Sequence, residues 1–137
     1  MTFLLDTNVV SELRKRSPHP AVLAWHQAHA GAESFLSVLV IGELRQGVER
    51  LRRRDPAQAD VLDQWIAGLL GRYSDRILPV SVEVVQQWGR LNATVGPPAV
   101  DGLLAATALV HGLTLVTRNV ADVAATGVAT ANPFATA

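Results

Sequence analysis

Cysteine is absent from the 137 residues, which excludes disulfide staples, thiolate nucleophiles and thiolate metal ligands and is compatible with the cytosol. No basic stretch precedes an apolar run at the N-terminus, so no secretory leader is expected. The longest apolar stretch, AVDGLLAATALVHGLTLVT, is interrupted by Asp101, His111 and Gly112 and is too broken for a membrane span. A soluble, cytoplasmic protein with no membrane partner is therefore expected. Low-complexity tracts are also lacking. What is present is an apolar fraction of 49%, enough at this length for one sizeable core, so a single domain over residues 1–137 is expected.

The formal net charge of zero conceals an asymmetry. Residues 1–54 hold eight cations against five acids, leaving +3, and the rest of the chain holds four against seven, leaving −3. Much of the excess lies in Arg45, Arg50, Arg52, Arg53 and Arg54. This run is either a solvated helix end, where cations suit the helix dipole, or part of a phosphate-binding face on RNA.

Along the chain, short apolar runs alternate with helical patterns. FLLD reads as a buried strand, and TNVVSELRKR after it starts a helix with Thr7 or Asn8 as cap. PAVLAWHQAHAG is a short helix closed by Gly31. SFLS is the next strand, followed by a helical seam of Ile41, Leu44, Val48 and Leu51. Asp55 and Pro56 supply the cap and first-turn proline of PAQADVLDQWIAGLLGRY. RILPVS is a third strand, SVEVVQQWGRLNATVG and PPAVDGLLAATALVHG are helices, and LTLVT is the last clear strand; the tail beyond it is less regular. Such alternation predicts an α/β domain with a mainly parallel sheet.

In parallel sheets ligands bind beyond the carboxyl ends of the strands. Asp6 stands at such an end. Glu43 lies inside the helix after SFLS, Asp101 in the first turn of an almost wholly apolar helix, and Asn119 and Asp122 come after LTLVT. If these strand ends meet, they form one acidic pocket, and a shared cation would offset the repulsion of its carboxylates. Oxygen donors without cysteine or a histidine cluster favour Mg²⁺ or Mn²⁺ over zinc. His26 and His29 lack a fourth ligand and read as surface or half-buried residues. Trp25, Trp65 and Trp88 read as core or interface residues before base-stacking platforms.

LLDTNVVSEL, the GEL of VIGELRQGVERL, VDGLLAATALVHGLTLVTRN and VADV together resemble the motifs of PIN-domain ribonucleases, in particular VapC-type toxins of toxin–antitoxin operons. The resemblance runs from about Phe3 to Phe134. It implies a three-layer α/β/α PIN domain that hydrolyses RNA phosphodiesters with Mg²⁺ or Mn²⁺ and an activated water. By that match Asp6, Glu43 and Asp101 hold the metal, Asn119 takes the fourth position, and Thr7, Asn8 and Thr117 line the pocket besides serving as caps and turn formers. Many PIN domains have Asp where this chain has Asn119; an amide adds no charge, and Asp122 is the other candidate to complete the site, so one or two metals both remain open. The resemblance further implies a cognate VapB-like antitoxin and a homodimer that can pair in a larger toxin–antitoxin complex. Rival readings of Asp6 fit less well: a haloacid-dehalogenase-type phosphatase would want Asp at position 8, which is Asn, and a receiver domain would want an adjacent acidic pair near the first strand. The alternative role is a weakly active PIN subunit acting mainly in a DNA-binding regulatory complex with its antitoxin.

Overall fold

The computed structural model describes residues 1–93 and 96–135. Five short strands, Thr2–Leu5 (β1), Glu33–Ser37 (β2), Ile77–Leu78 (β3), Thr114–Val116 (β4) and Thr130–Ala131 (β5), form one sheet in the order β3-β2-β1-β4-β5. Every pairing is parallel, with Phe3 opposite both Ser34 and Thr114, Leu36 opposite Ile77, and Leu115 opposite Thr130. The expected mainly parallel sheet is thus wholly parallel among the described residues.

The helices between them are Thr7–Arg14 (α1), Pro20–Ala28 (α2), Val38–Arg52 (α3), Pro56–Arg72 (α4), Val82–Leu91 (α5), Ala99–His111 (α6) and Val120–Val123 (α7). Their starts reflect local chemistry: the side chains of Asp6, Ser37, Asp55 and Ser81 each accept a backbone N–H of the helix they precede. Helix α6 stops where Gly112 adopts a left-handed φ of 66°, a conformation that glycine reaches without a Cβ penalty. By contact, α1 packs on α2 and α3 and α3 on α4, whereas α5 packs on α6 and α6 on α7. With right-handed crossovers these sets cover opposite faces of the sheet, giving three layers.

Five expectations are corrected. The cap of α1 is Asp6 rather than Thr7 or Asn8. Helix α2 ends at Ala28 with His29 as its C-cap, before Gly31. Only Ile77 and Leu78 of RILPVS pair, because Pro79 has no N–H to continue the ladder. The less regular tail holds α7 and β5. Helix α5 ends at Leu91, and the part of its expected extension at residues 94–95 lies outside the described residues.

The core is built from Leu4, Leu36 and Leu115 of the three central strands, with Val9, Val40, Ile66 and Leu104 packed from the helices. Helices α5 and α6 approach closely at Gly102, where a Cβ would lie 3.1 Å from the Trp88 indole. Trp88 Nε1 and Asn92 Oδ1 are buried in that contact without a hydrogen-bonding partner among the described residues. No described helix is long and apolar enough to cross a membrane. Strand order runs outward from β1 in both directions, so the direction of winding reverses between β1 and β4. The crevice beyond their carboxyl ends is the place where such sheets bind ligands.

Candidate active site

Asp6 occupies that crevice because it is at once the end of β1 and the cap of α1. Its N–H continues the ladder to the Val116 carbonyl at 2.9 Å, and its own carbonyl accepts from Val9 and Val10. Oδ1 accepts the Thr7 N–H at 2.7 Å, and Oδ2 accepts the Thr117 hydroxyl at 2.7 Å, with the Asn8 amide at 3.5 Å. A carboxylate also suits the positive end of a helix. The residue is only 5% exposed and Thr117 only 1%, so the bond between them is a buried link between two adjacent strand ends.

The freed Thr7 hydroxyl donates to Glu43 Oε1 at 2.6 Å, drawing the exposed α3 acid toward Asp6. Asp101 comes from the opposite helical layer and makes no side-chain hydrogen bond to a described residue. Burial pushes its pKa above the usual aspartate value, and the charges of Asp6, Asp122 and Glu43 push it further. Its neighbours in charge are therefore the sequence-predicted acids. Asn119 precedes α7 with its side chain exposed and no capping bond, while its N–H donates to Thr117 Oγ1 at 3.0 Å. Asp122 is exposed in the first turn of α7.

Among the described residues no three histidine, aspartate or glutamate side chains are already drawn around one cation position. The donor set nevertheless fits a hard divalent ion: it consists of oxygens, and its member Asp101 is an unpaired carboxylate strained by like charge.

The arginine run divides. Arg45 is paired with Asp63 and Glu49, and Arg52 with Asp63, with Asp60 at 2.8 Å and with Glu49 at 3.2 Å. These bonds tie α3 to α4. Arg50, Arg53 and Arg54 are exposed and make no ion pair among the described residues. Arg54 shares a cavity of about 250 Å³ with Thr7, Ser11, Arg14, Glu43 and Trp65, and the Arg14 guanidinium lies 5.9 Å from the Trp65 ring centroid. Arg14 and Trp65 have no motif around them; only the packing of α1 and α4 on α3 makes them neighbours of Glu43. His29 is engaged elsewhere, stacked on Trp25 with its Nδ1 2.8 Å from the Trp25 carbonyl.

Comparison with known proteins adds to this geometry. Residues 3–122 match the family model of the PIN domain. The chain is 33% identical to a VapC ribonuclease, Y4jK, of Sinorhizobium fredii over 96% of each chain. It is 34% identical to toxin FitB of Neisseria gonorrhoeae over 96% of this chain and 97% of that one. A solved structure of FitAB bound to an IR36 DNA fragment superposes with a TM-score of 0.87 at 30% identity, over 98% of this chain and 97% of that one.

Proposed function

From the premise that this chain belongs to the PIN-domain family, we propose that it is a Mg²⁺- or Mn²⁺-dependent endoribonuclease and the toxin of a toxin–antitoxin pair. The observation that carries the reading is the buried Asp6 carboxylate, held from two sides by the Thr7 N–H and the Thr117 hydroxyl, in a crevice where Glu43, Asp101 and Asp122 add charge. Asp6, Glu43 and Asp101 would hold the ion. When bound, such an ion neutralises the acids, orients a nucleophilic water and stabilises the charge that develops on a phosphoryl group.

The residues of the chain do the positioning. Thr117 and the α1 N-terminus fix the Asp6 oxygens, and Thr7 couples Glu43 to them. Asn8 bridges the β1 and β4 ends, its amide N–H reaching Asp6 and its Oδ1 facing the Arg118 backbone N–H, each at 3.5 Å. At the fourth position Asn119 shapes the turn after β4 through its backbone, and Asp122 supplies the charge that reaches Asp101. Arg14, Arg50, Arg53 and Arg54, rather than the paired Arg45 and Arg52, would meet the RNA phosphates.

The partners are inferred from the relatives. A VapB-like antitoxin would cover the acidic crevice, and a homodimer would pair in a larger complex. The second reading, a weakly active subunit whose main role is in a DNA-bound regulatory complex, is favoured by the DNA fragment in the FitAB structure.

Cleavage of a labelled single-stranded RNA in Mg²⁺, in Mn²⁺ and in EDTA tests the first reading. Cleavage should require the ion, and Asp6→Asn should lower its rate by about 100-fold or more, the scale set by losing the position of a reacting group. Asp122→Asn should raise the Mg²⁺ concentration at half-maximal rate, whereas Asn119→Asp should lower it by adding a carboxylate. Promoter binding with the antitoxin, but no ion-dependent cleavage by the free chain, would favour the second reading.

A further inference from the structure

The strand end that holds Asp6 continues into an arginine with no internal use for its charge. Arg118 comes directly after Thr117 and is exposed. Its guanidinium carbon lies 3.7 Å from the centroid of the Phe134 ring, while its N–H points to Asn8 Oδ1 at 3.5 Å. The guanidinium makes no hydrogen bond or ion pair with a described residue. Phe134 is itself fixed: its N–H donates to Asn132 Oδ1 at 3.0 Å, it succeeds the buried Pro133, and the His19 ring stands edge-on to it at 5.7 Å.

Attracting phosphate needs only the charge of an arginine and not a ring beneath it. Stacking on Phe134 fixes the plane of the cation and leaves the opposite face uncovered by any described aromatic ring. A flat cation of that kind suits a nucleobase, since unpaired RNA bases stack on guanidinium planes as they do on aromatic rings. The position is also suitable. Arg118 lies on the β4 side of Asp6, away from the cavity of Arg14 and Arg54 on the α1, α3 and α4 side, so a strand crossing the acids would meet cations before and after them.

We propose that the Arg118 guanidinium, backed by Phe134, is the stacking surface for a nucleobase adjoining the phosphodiester presented to Asp6. The proposal rests on the reading of this chain as an RNA-cutting enzyme. The platform makes cleavage depend on an unpaired base at one flanking position, which the acids alone could not sense.

The test is fluorescence anisotropy of a short labelled single-stranded RNA, intact or with one base removed at each position in turn, in EDTA so that nothing is cut. The wild-type chain should bind the intact RNA about 5–10-fold more tightly than the version lacking the stacked base, the lower range for base stacking. Arg118→Ala and Phe134→Leu should bind both RNAs alike. Arg118→Lys keeps the charge, so it should retain the salt dependence and lose most of the base dependence, and melting curves confirm which variants are folded. No base dependence in wild type, or the full dependence persisting in Arg118→Lys and Arg118→Ala, overturns the platform while leaving the nuclease reading intact. A wild-type chain that neither binds nor cuts RNA removes both.

Discussion

Asp101 concentrates the repulsion of the crevice in one side chain. Burial, then the charges of Asp6, Asp122 and Glu43, raise its pKa above the ordinary aspartate value, so the folded chain takes up this proton at a higher pH than the unfolded chain does. Between the two pKa values the folded state holds more protons, and stability falls as pH rises through that window; above it the penalty is constant. Asp101→Asn removes the penalty. At pH 7 in EDTA its melting temperature should be about 1–2 °C above wild type, a small gain because a partly exposed charge is screened. Below the ordinary aspartate pKa the difference should vanish. Mg²⁺ should then raise the melting temperature of wild type more than that of the variant, and equal stabilisation of both by Mg²⁺ would count against Asp101 as a ligand.

Among the elements, α3 and α4 are joined by a network in which Arg45 and Arg52 share Asp63 and Glu49, with Asp60 at its edge. Each arginine is held more firmly charged by those carboxylates, and each is thereby occupied. Arg45→Gln with Arg52→Gln should lower the melting temperature at low salt, less so at high salt, and leave the salt slope of RNA binding unchanged. Arg14→Gln and Arg54→Gln should each reduce that slope by about 1 with little effect on melting. A slope that falls only in the first pair would return the network to the RNA path. The sequence alone could not divide the arginines in this way, since their partners lie on α4. It did make Asp6 and Asp101 legible as candidates, because Asp6 ends a short apolar run and Asp101 is a lone charge in an almost wholly apolar helix. Strand β3 was legible in RILPVS, though not its shortness, and β5 was illegible, a two-residue pairing that exists only through β4. Arg118 was equally hidden, its use depending on a ring 16 positions later.

At the scale of the molecule, the strands and both helical layers contribute to one continuous apolar cluster, and we infer that residues 1–137 unfold as a single domain. Circular dichroism, which reports the helices, and tryptophan emission from Trp25, Trp65 and Trp88, which sit on both helical layers, should give one coincident transition. Two separated transitions would divide the chain. The same wiring sets an order of assembly. Strand β1 is made first yet lies in the middle of the sheet, and the bond from Thr117 to Asp6 spans 111 residues. At about 5–20 residues per second of synthesis, Asp6 emerges about 6–20 s before the hydroxyl that holds it. A nascent chain thus carries its first acid long before it carries a site, and on the proposed activity the ribosome making it is not exposed to a finished nuclease until β4 has been translated.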